Sequence, residues 1–213
     1  MSTTIAGIQI PDSQLARQAT ELVRDTETTL LYHHSRRVFL FGALTGKKRE
    51  LTFDPELLYI GAMFHDMGLM PGYSSATERF EVDGANASRD FLRRHGIAEA
   101  SIDIVWDAIA LHTTPGIPQH KKAEVALVTA GVEMDVLGLG FSTVSEADRQ
   151  LVVDAHPRSQ QFKEDIVEAF YQGIKHKPDT TFGNVKSDVM ALKEPHFHRT
   201  NFCSVIQNSA WSS

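Results

Sequence analysis

An imidazole and a carboxylate stand on consecutive residues in the segment Phe64-His65-Asp66-Met67-Gly68. Both are ordinary ligands for first-row divalent ions, and imidazole is also the side chain that moves protons most readily near neutral pH. A His-Asp dipeptide alone says little, so its weight depends on what the rest of the chain brings to it. Three other segments put a metal-competent side chain on an apolar helical stripe. His34 falls among Leu30, Val38 and Phe41, and His112 completes a stripe of Ile104, Val105, Ala108 and Ile109. Asp135 follows Val132 by three residues and Val128 by seven, which turns it inward. Burying one uncompensated polar group costs ~1–3 kcal/mol, and an uncompensated charge far more. A shared cation would compensate them together. His34, His65, Asp66 and Asp135 make a set of two imidazoles and two carboxylates, suited to one divalent ion per chain: Zn²⁺, or Fe²⁺, Mn²⁺ or Co²⁺. A buried hydrogen-bonded network without metal is the alternative.

Helices must position these residues. Asp54-Pro55 reads as an N-cap with proline at the first helical position, and Gly68 as the stop, so His65-Asp66 falls in the last turn of a buried helix. A carboxylate there faces the negative end of the helix dipole, an unfavourable placement by ~0.3–1 kcal/mol that a nearby cation would reverse. His34 belongs to helical sequence running through Leu30, Leu31, Val38 and Phe41. Another helix is expected over 85–95, stopped by Gly96, and Ser101 is expected to cap the helix that leads to His112. A single helix over 122–137 would carry Asp135. Ser145 with Asp148 fits a capping box, and Ser159 opens a helix burying Phe162, Ile166, Ala169 and Phe170. The fold class that results is all-α, a helical bundle. Its expected organisation is an extended arm over 1–11, a helical catalytic domain over 12–177, and a mixed tail over 178–213 packed on it, with a short helix near Val185–Leu192. His196 and His198 in that tail have no third ligand nearby and read as structural or surface residues.

Composition narrows the function. With 213 residues, 42% hydrophobic and 23% charged, the chain can bury a substantial single core. No apolar run approaches the length of a membrane span, and the N-terminus lacks the pattern of a secretory signal. One cysteine, Cys203, excludes an intramolecular disulfide and a cysteine-rich zinc site. A cytoplasmic location is expected. The net charge of −6 argues against a nucleic-acid partner. Arg36-Arg37, Lys47-Lys48-Arg49 and Arg93-Arg94 read as solvated helix ends. No glycine-rich phosphate loop is present.

The pattern His34 … His65-Asp66 … Asp135 on successive helices resembles the HD-domain metal-dependent hydrolases over roughly residues 25–140. Within that superfamily, four segments are similar to the cyanamide hydratase group: His34-Ser35-Arg36-Arg37-Val38-Phe39, Phe64-His65-Asp66-Met67-Gly68, Arg79-Phe80-Glu81-Val82-Asp83-Gly84-Ala85-Asn86-Ala87 and Gly131-Val132-Glu133-Met134-Asp135-Val136-Leu137-Gly138. The resemblance implies an all-α HD-domain bundle, a bound divalent metal (zinc in the cyanamide enzyme) and a hydro-lyase that converts cyanamide to urea. Metal-bound hydroxide would attack the nitrile carbon. Asp66 is then the nearest group to accept a proton. His112 could protonate or hydrogen-bond the nitrogen, bind a second metal, or simply pack. The alternative is an HD-type phosphohydrolase acting on a nucleotide or other phosphate ester. Many phosphate-ester HD enzymes carry Lys after His-Asp-x-Gly, and the deoxynucleotidase-like branch carries Glu there; Leu69 occupies that position here. Arg36, Arg37, Lys47 or Arg79 could still supply charge from elsewhere. The expected partner is a small molecule, cyanamide or another nitrile, with no nucleic acid and no membrane; a homo-oligomer is compatible.

Overall fold

The computed structural model describes residues 3–181 and 183–213. The chain opens on a small antiparallel hairpin, β1 (Thr4–Ile5) and β2 (Ile8–Gln9), with Ile5 opposite Ile8. The expected arm is thus folded back on itself at Ala6-Gly7. Helices follow: α1 (Gln14–Thr26), α2 (Thr29–Lys48), α3 (Pro55–Phe64), α4 (Phe80–Arg94), α5 (Glu99–Ala110) and α6 (Ala123–Val132). Then come α7 (Glu146–Ala155), α8 (Phe162–Ile174), α9 (Val185–Lys193) and α10 (Phe202–Gln207). The all-α expectation holds. Among the described residues no helix is long and apolar enough to cross a membrane.

Local chemistry accounts for most boundaries. Ser13, Thr28, Asp54 and Ser145 accept hydrogen bonds from the first turns of α1, α2, α3 and α7. Several boundaries differ from the sequence reading, among them the start of α8 at Phe162 and not Ser159, with Ala169 and Phe170 only partly buried. α4 starts at Phe80, about five residues early, because Phe80, Glu81, Asp83 and Gly84 are all buried against neighbouring elements. α5 is capped at Ala98, not Ser101, and no side chain caps it. α10 was not expected at all; Asn201 caps it, Ile206 is its one buried side chain, and Phe202 packs on Phe170.

α3, α5 and α6 are mostly apolar around the core, while α2 runs through its middle with Leu31, Val38, Phe39, Leu40 and Phe41 fully buried. α6 lies directly against α2. A Cβ added at Gly131 would sit 2.1 Å from the Val38 carbonyl oxygen, so the backbones meet where any side chain would hold them apart. That closeness brings the end of α6 beside the turn of α2 that carries His34. A second cluster, formed by Leu31, Leu69, Phe80, Val136, Phe162, Ile166 and Ile206, joins α8 and α10 to this face.

Candidate metal centre

α3 ends at Phe64, and His65 is its last helical-conformation residue, at φ −62° and ψ −31°. Asp66 leaves the helix at φ −103° and ψ 1°, and a 3₁₀ turn, Met67–Leu69, follows. Asp66 therefore stands just past the helix and not within its last turn. Gly68 acts differently from the stop signal read in the sequence. It has no left-handed φ; a Cβ there would lie 1.9 Å from the Phe80 oxygen and 2.8 Å from the Gly84 nitrogen. Glycine is needed because α4 passes against this turn.

His34, His65 and Asp66 are fully buried, and their donor atoms come together within 4.8 Å of one another. His34 Nε2 is 3.1 Å from His65 Nε2, while Asp66 Oδ2 is 3.2 Å from His65 Nε2 and 3.7 Å from His34 Nε2. The other ring nitrogens decide the tautomers. His65 Nδ1 donates to the Ala62 carbonyl at 2.7 Å, and His112 Nδ1 donates to the Ile109 carbonyl at 2.6 Å. His34 Nδ1 donates to Asp135 Oδ2 at 2.7 Å. A neutral ring so pinned presents a lone pair at Nε2; burial favours that form, but at His65 the neighbouring Asp66 carboxylate outweighs burial and raises the ring's affinity for a proton. Two lone pairs at 3.1 Å repel unless a cation or proton lies between them.

Three buried atoms here have no hydrogen-bond partner: both oxygens of Asp66, and His112 Nε2. His112 Nε2 is 3.9 Å from Asp66 Oδ1, so the carboxylate faces the His34–His65 pair with one oxygen and His112 with the other. Burial by itself would raise Asp66, but the imidazoles of His65, His34 and His112 outweigh it and hold the carboxyl well below its usual range. Burial, then the charge of His65, pushes His112 down to about 4. The donor set fits a divalent ion: two imidazole nitrogens and one ionised, unpartnered carboxylate oxygen in a space of ligand dimensions.

Asp135 is placed elsewhere. α6 gives way to a five-residue π-helical turn, Glu133–Leu137, in place of the single helix expected over 122–137. The turn aims Asp135 at the outer side of the His34 ring. Its Oδ1 accepts from Arg37 Nε and Arg158 Nη1, both at 2.8 Å, and its Oδ2 accepts from Arg37 Nη2 at 2.9 Å as well as from His34. The carboxylate is fully hydrogen-bonded and holds the ring that faces the centre, a familiar arrangement behind metal-bound histidines. Burial opposes its ionisation, and Arg37 and Arg158 outweigh that, holding it well below the carboxylate range. Sequence reading missed both arginines. Arg37 is entirely buried, not a solvated helix end. Its spacing of three from His34 was the available signal; nothing in the sequence marked Arg158, which also donates to the Ser213 oxygen and lies over the rings of Phe162 and Trp211.

The enclosure is apolar. The Phe80 ring stands 5.6 Å from His112, and the Phe162 ring 6.1 Å from His34. Buried Glu81 accepts from Arg79 and Thr113, and its negative charge acts on His112. Asp83 pairs with Lys177 at 2.7 Å, Glu78 is exposed, and Tyr73 packs against the main core. His196 and His198 are exposed in the tail.

The family model described as HD domain matches residues 31–149, from α2 into the start of α7. That span holds His34, His65, Asp66, His112 and Asp135, whereas α8 with Phe162 lies beyond it. No curated protein matches the chain.

Proposed function

The chain belongs to the HD-domain family of metal-dependent hydrolases, and from that premise we propose that it adds water to cyanamide or another small nitrile, yielding urea or the amide. His34, His65 and Asp66 would hold one divalent ion, with Zn²⁺ the natural choice for two imidazoles and a carboxylate. Such an ion supplies a Lewis acid that brings the pKa of water down to ~7.

The chain's own groups do the rest. His112, neutral and with Nδ1–H tied to Ile109, offers Nε2 as an acceptor, so it takes the proton from the attacking water and returns it to the nitrile nitrogen. Asp66 Oδ1, 3.9 Å from His112 Nε2, would help to orient that water against the ring. Proton shifts alone then carry the isourea to urea. Asp135 keeps His34 in the right tautomer, and Phe80, Phe162, Leu31, Leu69 and Ile166 exclude bulk water.

One observation favours a small uncharged substrate over a phosphate ester, with which the family is equally compatible. The unpartnered atoms sit in an apolar enclosure whose neighbouring guanidinium groups are all engaged: Arg37 and Arg158 with Asp135, Arg79 with Glu81, Arg36 with Tyr59 and His156. A phosphate would find no free cation among them. Metal-replete protein should release urea from cyanamide and no phosphate from a nucleotide panel. Phosphate release without urea would replace the assignment.

A further inference from the structure

The metal-competent atoms are interior, so a substrate must cross protein to reach them. We propose that it does so through the cleft between the start of α2 and α8, where Leu31 and Leu69 form the gate that sets the size of molecule admitted. The substrate class rests on the reading above; the location of the entrance does not.

The cleft measures about 810 Å³, and its floor includes Leu31 and Leu69. Both side chains are buried, and each lies three residues from a donor: Leu31 precedes His34 on one face of α2, and Leu69 follows Asp66 through the 3₁₀ turn. Both also belong to the cluster containing Phe80 and Phe162, the rings that stand against His112 and His34. Leu31 and Leu69 thus line the cleft and belong to the same cluster as the rings that face the centre. α8 is fitted to this cluster: a Cβ on Gly173 would come within 2.6 Å of Leu69 Cδ2. The cleft wall is mainly apolar, from Leu30, Met70, Pro71 and Ala169, and it also carries His33, Arg158, Asp165 and Glu168. Such a passage suits a small uncharged molecule and disfavours a phosphate, because its guanidinium, Arg158, is already held by Asp135 and the Ser213 oxygen while Asp165 and Glu168 would repel an anion.

Two variants test this in opposite senses: Leu69→Ala widens the gate and Ala169→Phe fills the cleft outside it. In Co²⁺-loaded protein, the association rate of azide read from the visible spectrum should rise in Leu69→Ala and fall in Ala169→Phe, with Co²⁺ content unchanged. With cyanamide and dimethylcyanamide as substrates, Leu69→Ala should shift the ratio of kcat/KM toward the larger one by ~10-fold or more, the discrimination that pocket-sized apolar groups provide. Azide rates equal to the parent's in either variant would overturn the proposal, since both positions must lie on the path. If the rates move but no urea is ever formed, the entrance stands and the cyanamide reading falls.

Discussion

Asp66 and Asp135 are the same side chain, equally buried and both ionised, yet their neighbours divide the labour between them. Asp135 is bound on both oxygens by arginines and His34, while Asp66 faces only imidazoles and neither of its oxygens accepts a hydrogen bond. Removing each should therefore have consequences of different size for the metal-stripped protein. Asp135→Asn leaves two guanidinium groups short of a counter-charge and should lower stability by ~3–5 kcal/mol in denaturant melts. Asp66→Asn removes a carboxylate held ionised by His65, His34 and His112, so it should also lower stripped stability, but by less because no buried guanidinium loses its counter-charge, while abolishing ion uptake measured by elemental analysis. Equal destabilisation by both would contradict the division. His156 supplies a pH dependence of its own. Burial, then Arg36, His33 and Arg37, pushes it down to about 3, so it is neutral in the fold. Unfolded, it titrates near ~6.5. Its contribution is present above that value and is lost as pH falls toward 3, because the unfolded chain takes up the proton first. Replacing His156 with Gln should flatten the decline in unfolding free energy between pH 7 and pH 5, whatever the variant's absolute stability.

At the scale of elements, two irregular pieces of backbone make the centre. The 3₁₀ turn at Met67–Leu69 depends on Gly68, against which α4 passes too closely for a Cβ. Gly68→Ala must push the two apart; overpacking of this kind costs ~1–3 kcal/mol, and the ion content of the folded variant should drop as Asp66 shifts. The other piece is the π-turn Glu133–Leu137, a deviation that recurs at functional sites. Its Met134 oxygen accepts from Trp211 Nε1 at 2.7 Å, and Trp211 packs on Phe41 and Phe141. The tail thus braces the turn that bears Asp135. Trp211→Phe keeps the ring but deletes the donor; ion affinity in a chelator competition should weaken several-fold with the helical spectrum unchanged.

For the whole molecule, an ion bound only by the folded chain raises its stability by mass action. At a free concentration of 100 times Kd the gain is ~2.7 kcal/mol. In a chain of this size each 1 kcal/mol moves the midpoint by ~2–4 °C. Zn²⁺ should therefore raise Tm by roughly 5–10 °C over the chelated protein, and His65→Ala should show no such rise. A parent Tm indifferent to Zn²⁺ would leave the centre without an ion.

The chain's order of residue types was sufficient for the all-α class, because helical stripes and caps such as Asp54 and Ser145 are local features that need only nearby residues to form. The inward stripes also exposed His34, His65, His112 and Asp135 as polar side chains in an apolar interior, since a residue's facing follows from its spacing, and Asp66 came with His65 as its neighbour in the chain. Tertiary structure alone decided what each of them meets. Arg37 and Arg158 reach Asp135 from 98 and 23 residues away in sequence, and α8 brings Phe162 over His34 from outside the matched span. Gly68 looked like a helix stop because its true constraint, the passing backbone of α4, is a long-range contact. Spacing along a helix is a property of the chain; which charge lies across a gap of 3 Å depends on how the helices pack.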